Sequence, residues 1–381
     1  MTLILLANFH SFCNAGDVAL LEVSVRQLRE AIPGVTIKVI ANYPLENGFS
    51  RLGLKAIPSP EAILRQRGAW KDLRRVYSQA DALISLPGNP FFSMGRLGWT
   101  LAASAAQLWL AKQYGLPYFT LAQTIGPFRR GWEMRMMRRL LHSARQVWVR
   151  DETSLNLLQS WGLSQVQYAP DAVFSFPPGE HWVRRHSTSF QIGVSVITAM
   201  VRNLPDLIGY YRTIGDAFTE LIREKKIHVT FFGQSCGPSQ REDDRLAAHT
   251  VVEGMPADVQ DSVTIDETEY PPSQLTQRYA EMDGFLAWRL HAGLLATLGG
   301  VPTVWLSYLS KTEGVLRSLG WQDRLLPLDK MNGFTLKITL NNILDKKDTN
   351  WVNHIVQLEG LALQSRQPVQ AIAAELAKEG L

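Results

Sequence analysis

Hydrophobic and polar positions along this chain fall into short apolar runs separated by longer stretches of helical periodicity, and the alternation occurs in two successive series. An apolar run bounded by turn residues and followed by an amphipathic stretch marks a strand and its crossover helix, so the pattern predicts parallel sheets. The first series places strands at 3–7, 35–41, 82–86, 117–122, 146–149 and 166–168. Its helices fall at 18–30, between 60 and 79, at 97–113, within 128–145 and at 152–161. The second places strands at 192–197, 228–232, 263–266, 284–288 and 302–307, with helices at 207–225, 241–252, 273–281, 292–298 and 312–319. A last helix spans 352–378.

Between the two series, Phe176-Pro177-Pro178-Gly179-Glu180-His181 and the polar stretch to Ser189 carry Pro, Gly and charge without periodicity, as a linker does. The 381 residues also suit two domains, at about 150 residues each. The expected architecture is α/β, with two Rossmann-like domains, 1–175 and 190–345, facing across a cleft. A C-terminal helix in 350–381 crosses back to the first domain.

Composition narrows the class. Hydrophobic residues make up 46% and charged residues 19%, which supports full cores and disfavours long disordered stretches. The segment 1–7 has no basic leader and is too short for a signal peptide, so it reads as a first buried strand. The most apolar helical stretch, 97–111, contains Thr100, Ser104 and Gln107 and falls short of the ~20 apolar residues of a membrane span. The expectation is a cytoplasmic protein that does not cross a membrane. Cys13 and Cys236 form neither a disulfide framework nor a zinc pattern, and each reads as a small buried hydrophobe. No metal-ligand cluster is apparent.

A net charge of +4 is too small to indicate nucleic acid. The charge is uneven, however. Residues 128–145 carry Arg129, Arg130, Arg135, Arg138, Arg139 and Arg145 against Glu133 alone, interleaved with Trp132, Met134, Met136, Met137 and Leu140. Two readings fit this helix: peripheral contact with an anionic membrane at the inner face, or a solvated face covering a core.

Candidate chemistry clusters at predicted strand ends, where open α/β sheets bind ligands. Asn14-Ala15-Gly16-Asp17 opens a helix. Gly16 permits close approach of a ligand and the helix start offers N–H groups, while Asp17 suits either a functional or a local capping role. The spacing of a dinucleotide fingerprint is absent. Gln123-Thr124-Ile125-Gly126-Pro127 follows another strand; Gly-Pro turns the chain and Gln123 and Thr124 are expected to point into the cleft. Arg150 ends an apolar strand, with Asp151 able to cap the next helix; a structural Arg–Asp pair is the competing account. Asp171 ends a strand near the linker.

The strongest signal is Gly284-Phe285-Leu286-Ala287-Trp288-Arg289-Leu290-His291. An apolar strand ends in Arg and His immediately before a helix. A guanidinium there needs an anionic partner, and its planar donors suit a carboxylate or phosphate. His291 is placed for proton transfer near neutral pH. Lys311 brings a second cation to the same edge after the next strand. An internal ion pair accounts for Arg289 alone; Arg289, His291 and Lys311 together point to an anion site.

Taken in order, these pieces resemble the polysaccharide pyruvyl transferase family. The matching segments are Asn14-Ala15-Gly16-Asp17, Gln123-Thr124-Ile125-Gly126-Pro127, Val149-Arg150-Asp151-Glu152-Thr153-Ser154-Leu155, Pro170-Asp171-Ala172-Val173-Phe174 and Arg289-Leu290-His291-Ala292. Gly300-Val301-Pro302 and Tyr308-Leu309-Ser310-Lys311 complete the series, and Gln234-Ser235-Cys236-Gly237-Pro238 through Asp243-Asp244 fits the family's middle region. The resemblance implies a GT-B-like fold. It also implies transfer of a pyruvyl group from phosphoenolpyruvate to two hydroxyls of a sugar, on a polysaccharide or a lipid-linked oligosaccharide, as a cyclic ketal with release of phosphate.

By the same resemblance, Arg289, Leu290, His291 and Lys311 belong to the donor site on the second domain, with Arg150 of the first domain contributing to it from across the cleft, and the first domain takes the acceptor. His291 is the candidate acid, with Asp17 or Asp171 as alternatives for activating the acceptor. Asn14, Gly16, Gln123 and Gln234 are candidate acceptor or loop contacts. No organic cofactor is implied beyond phosphoenolpyruvate as co-substrate. One departure bears on the acceptor side: where the family has a glycine-rich turn, this chain reads Leu86-Pro87-Gly88-Asn89-Pro90-Phe91. The competing readings are a glycosyltransferase using a nucleotide sugar and a non-catalytic sugar- or anion-binding protein on the same scaffold.

Overall fold

The structure is a computed structural model that describes residues 2–66, 70–93, 98–177, 189–198, 206–308, 310–344 and 349–381. Most of the expected linker, 178–188, lies outside the described residues. The chain divides into two compact units. One comprises Met1–Phe12, Asp17–Phe176 and Gly360–Leu381; the other comprises Cys13–Gly16 and Pro177–Glu359.

The first unit is built on eight parallel strands: β1 (Leu3–Phe9), β2 (Thr36–Ala41), β3 (Lys55–Pro58), β4 (Ala82–Ser85), β5 (Gly88–Phe91), β6 (Tyr118–Ile125), β7 (Gln146–Val149) and β8 (Val166–Tyr168). They run in the order β3-β2-β1-β4-β6-β7-β8, with β5 paired to β6. The helices between them are α1 (Ala15–Ala31), α2 (Gly48–Arg51), α3 (Pro60–Gln66), α4 (Trp70–Gln79), α5 (Trp99–Gln113), α6 (Gly131–His142) and α7 (Glu152–Ser160). β1 feeds two core layers: Leu5 and Ala7 enter one and Ile4 and Leu6 the other. A parallel strand covered on both faces has no polar face, so it reads in sequence as a continuous apolar run.

The second unit carries six parallel strands: β9 (Phe190–Ser195), β10 (Ile227–Phe232), β11 (Val263–Asp266), β12 (Gly284–Ala287), β13 (Thr303–Ser307) and β14 (Leu325–Pro327). Their order is β11-β10-β9-β12-β13-β14, the Rossmann arrangement of two halves diverging from a central pair. The chain continues through α8 (Leu207–Glu224), α9 (Asp244–Glu253), α10 (Ala257–Gln260), α11 (Pro272–Ala280), α12 (Leu290–Leu298), α13 (Ser310–Ser318), α14 (Gly333–Ile343), α15 (Thr349–Gln364) and α16 (Gln367–Lys378).

Three strands were not anticipated, and they share a cause. β3, β5 and β14 are short, contain Pro58, Pro90 and Pro327, and each pairs with one neighbour only. Proline cannot donate to a ladder, so it is tolerated at an edge but reads in sequence as a break. β5 is the Gly88-Asn89-Pro90-Phe91 segment, which is therefore a strand paired with β6 at Gly88 and Phe91, with a register shift between them, rather than a turn. Gly88 has φ +128° there, a conformation that favours glycine.

The single helix expected over 352–378 is two, α15 and α16. Pro368 lies in the first turn of α16, where its missing N–H costs nothing and beyond which an upstream helix does not continue. Val369, Ile372 and Leu376 of α16 pack into the first unit's core with Ile4 and Leu6, whereas α15 up to Glu359 belongs to the second unit.

Candidate active site

β9 and β12 are neighbours in the second sheet, and the order of strands reverses between them. Loops leaving their carboxyl ends part there and open a crevice for ligands. β12 is buried throughout and ends at Ala287, opposite Ser195 of β9 and Trp305 of β13. Trp288 is buried, and Arg289 follows with extended backbone at the cap position of α12. The helix therefore begins at Leu290, two residues earlier than periodicity indicated. Leu290 itself is buried and its carbonyl accepts the indole N–H of Trp305 at 3.1 Å, so its side chain serves the core.

Arg289 is held by a carboxylate that sequence reasoning did not single out. Its Nε and Nη2 donate to the two oxygens of Asp244 at 2.5 and 2.6 Å. Asp244 opens α9, and its backbone N–H donates to the carbonyl of Ser235 while its Oδ2 accepts the Ser235 N–H at 3.0 Å. Burial pushes the Asp244 carboxyl above the usual aspartate value, and Arg289, with backbone donors from Ser235 and Thr198, offsets part of that rise. The Asp244 side chain is 0% exposed and that of Arg289 24%. The ion pair thus orients the guanidinium while a quarter of it stays accessible. The available signal was the acidic pair Asp243-Asp244 at a helix start; Asp243 instead holds Arg245, at 2.7 Å.

His291, in the first turn of α12, meets the segment Asn14–Gly16 within the second unit. A Cβ on Gly16 would stand 2.6 Å from His291 Nδ1 and 2.8 Å from its Cβ, so only glycine fits. The approach is fixed by backbone pairing. Ala15 N donates to the Gln234 carbonyl at 3.0 Å, Cys236 N donates to the Cys13 carbonyl at 2.8 Å, and Asn14 bridges Ser235 in antiparallel fashion. Asn14 Oδ1 accepts the Gly16 N–H at 3.0 Å. Gln234 is buried, and its Oε1 accepts the hydroxyl of Tyr279 at 3.1 Å. Its Nε2 has no hydrogen-bond partner among the described residues; a buried amide in that position is one a ligand or water satisfies. Cys13 and Cys236 are half-buried and not joined in a disulfide, and burial pushes the Cys236 thiol up to about 12.

Lys311 lies in the first turn of α13, which follows β13. Because β13 runs parallel beside β12, Arg289, His291 and Lys311 leave the same sheet edge, and Gln234 leaves it after β10. Among the described residues no group of His, Cys, Asp and Glu is arranged to hold a metal ion.

In the first unit, Arg150 donates from Nε to Thr124 Oγ1 at 3.0 Å and from Nη1 to Asp171 Oδ2 at 2.5 Å, with side chains 1% and 0% exposed for the pair. The structural Arg–Asp pair is therefore made with Asp171. Asp151 caps α7 through the Ser154 N–H at 2.8 Å. Asp171 also accepts the Val173 N–H at 2.9 Å. Gln123 and Thr124 lie inside β6 and are buried, not beyond its end. Gln123 Nε2 donates to Ser85 Oγ and to the Leu86 carbonyl at 2.7 and 2.6 Å. Asp17 sits half-buried in the first turn of α1. Periodicity gave no hint of Asn8, the last residue but one of the central strand β1, which has φ +67°, exchanges hydrogen bonds with Gln107 and donates to Ser85 Oγ.

Two Rossmann-like α/β units with a cation-bearing strand edge define a GT-B-like fold. Solved structures agree on that fold. The UDP-GlcNAc 2-epimerase of Neisseria meningitidis, bound to UDP-GlcNAc, superposes with a TM-score of 0.63 at 13% identity, covering 99% of this chain and 100% of that one. The calicheamicin glycosyltransferase CalG4 gives 0.52 at 13% identity, covering 99% and 98%. The chain belongs to the polysaccharide pyruvyl transferase family, whose model matches residues 14–310, a family of transferases in polysaccharide biosynthesis. The amylovoran biosynthesis protein AmsJ of Erwinia amylovora is 21% identical over 389 residues, covering 90% of this chain and 92% of that protein.

Proposed function

We propose that this protein transfers the pyruvyl group of phosphoenolpyruvate to two hydroxyls of one sugar, on a polysaccharide or its lipid-linked precursor. The products are a cyclic ketal and inorganic phosphate. The observation that carries the reading is the shared edge of β12 and β13, where Arg289, His291 and Lys311 emerge together. Phosphoenolpyruvate presents a carboxylate and a phosphate, and cations preorganised on one edge neutralise both as charge shifts during the reaction.

In this reading His291 donates a proton to the methylene carbon, creating an oxocarbenium-like centre that the first acceptor hydroxyl attacks. Departure of phosphate lets the second hydroxyl close the ring. One hydroxyl proton returns to His291 and the other leaves with phosphate. Asp17 is proposed to activate the acceptor. Asp244 orients Arg289, and Gly16 leaves room for the imidazole. Arg150 and Asp171 are committed to each other inside the first unit, and the reading assigns them to support of that unit. We place the reaction in the cytoplasm, where phosphoenolpyruvate is made.

The test is a mass-spectrometric screen of free and lipid-linked sugar acceptors with phosphoenolpyruvate. The expected result is a pyruvate-ketal mass gain matched by phosphate release. Nucleotide release from a nucleotide sugar, without consumption of phosphoenolpyruvate, would overturn the reading in favour of a glycosyltransferase.

A further inference from the structure

α5 and α6 lie side by side on the first unit and run in the same direction. At one end Gly98, the cap of α5, is so close to α6 that a Cβ there would stand 2.6 Å from Glu133 Oε1 and 2.9 Å from the Trp132 ring. At the other end Lys112 Nζ donates to Ser143 Oγ at 2.8 Å. Trp132, Arg135, Arg139 and Ser143 are therefore successive turns of the α6 side that meets α5, and Trp109 lies one turn before Lys112 on the facing side.

The inward faces of both helices are fully used: Leu101, Ala105, Leu108 and Ala111 of α5 and Met137, Leu140 and Leu141 of α6 are buried in one core cluster. The outward aromatics are surplus to it. Trp99 is 72% exposed, Trp109 51% and Trp132 38%, with Met134 also exposed. Arg129, Arg135, Arg138, Arg139 and Lys112 are exposed around them. Glu133 is the one carboxylate on either helix. It is buried, and Arg130, Ser93 and the backbone N–H groups of Arg129 and Arg130 bind it. Among the described residues no carboxylate lies within ion-pair distance of Arg129, Arg135, Arg138 or Arg139.

We infer that this face docks on the surface of a bilayer containing anionic lipids. Tryptophan partitions to the boundary between headgroups and acyl chains, and guanidinium groups bind lipid phosphates. The pairing of exposed indoles with uncompensated arginines matches both layers of such a surface at once. A second copy of this chain fits less well, because a two-fold contact sets each patch against itself and opposes like charges. The attachment inferred is peripheral, through this face alone; among the described residues no helix is long and apolar enough to cross a membrane. The inference does not depend on the reaction proposed above.

The experiment is sedimentation of the full chain with vesicles of phosphatidylcholine alone or of phosphatidylcholine with one-third phosphatidylglycerol. Binding is expected to the anionic vesicles only and to weaken as salt is raised. Each basic residue near an anionic surface contributes about a fivefold factor in partitioning. Arg135→Gln with Arg138→Gln and Arg139→Gln should then lower it on the order of a hundredfold. Trp99→Ala with Trp132→Ala should lower it at least tenfold while the circular dichroism spectrum stays unchanged, since both side chains lie outside the core. Equal recovery with either vesicle type, or full binding by both variants, would overturn the inference. So would a dimer of the parent chain that the tryptophan variant converts to monomer.

Discussion

Gly16 and His291 are far apart along the chain and stand so close that a methyl group on Gly16 would overlap the imidazole, 2.6 Å from Nδ1. The overlapped atoms include the Cβ and Cγ of His291, not the free end of a flexible side chain, so the ring or the loop must shift. Overpacking of this kind costs about 1–3 kcal/mol. Gly16→Ala should lower kcat by about tenfold or more, the equivalent of ~1.4 kcal/mol at the barrier, with a smaller loss of thermal stability. Unchanged turnover by phosphate release would show that the contact does not position His291.

Asp244→Asn keeps the shape of the carboxylate but leaves Arg289 without its charge partner. Breaking a fully buried pair costs about 3–5 kcal/mol. The partial exposure of Arg289 reduces this, and a loss of about 2 kcal/mol is expected. Urea unfolding of the variant gives the figure directly, and the affinity for phosphoenolpyruvate should fall as well because the guanidinium is no longer oriented.

The three residues on the shared strand edge should separate kinetically. Arg289→Ala and Lys311→Ala are expected to raise KM for phosphoenolpyruvate about tenfold or more, each removing a charge-assisted contact of ~1.5–3 kcal/mol. His291→Ala should chiefly lower kcat by about a hundredfold or more. Isothermal calorimetry decides the point: donor affinity unchanged in both cation variants would remove the anion site from this edge.

Arg150 and Asp171 should behave as a structural pair. Arg150→Met or Asp171→Leu alone leaves an uncompensated buried charge and should cost about 3–5 kcal/mol of stability. The double variant should recover most of that loss. If Arg150→Met instead raises KM for phosphoenolpyruvate while leaving the melting temperature in place, Arg150 contacts the donor after all.

Glu133 makes stability depend on acid. Burial alone would raise its carboxyl, but donors from Ser93 and Arg130 outweigh burial and hold it below the usual glutamate value. A lowered folded value means the stabilisation is present above the unfolded pKa of about 4.3 and is lost as pH falls through the lower folded value. Glu133→Gln should therefore destabilise near neutral pH and flatten the acid limb of the stability profile. Chemical denaturation between neutral and acidic pH in both proteins tests this.

Much of the fold was legible because its causes are local. Strands buried on both faces, such as Ile4-Leu5-Leu6-Ala7, appear as unbroken apolar runs, and crossover helices show their period in the next stretch of chain. The edge strands β3, β5 and β14 were not legible, because a proline tolerated at an edge looks the same in sequence as one ending a turn. The break between α15 and α16 was missed for the converse reason: Pro368 within a long periodic stretch was read through.

At the site, the chemistry of Arg289, His291 and Lys311 could be read from residue type and position alone, since a polar ending to a buried strand is a local anomaly. Their partners could not. Arg289 finds Asp244 because β10 and β12 flank β9 and α9 starts beside the loop after β10. Arg150 takes Asp171 instead of its neighbour Asp151 because β7 and β8 are paired and Asp151 is spent on a helix cap. Gly16 meets His291 only because residues 13–16 pair with Cys236 and Gln234. Hydrophobic period and strand-end chemistry belong to a few consecutive residues and were determined by the sequence itself. Which charges meet, and which glycine must stay small, depends on the crossover connections that bring distant segments to one sheet edge, and that was decided only by the tertiary structure.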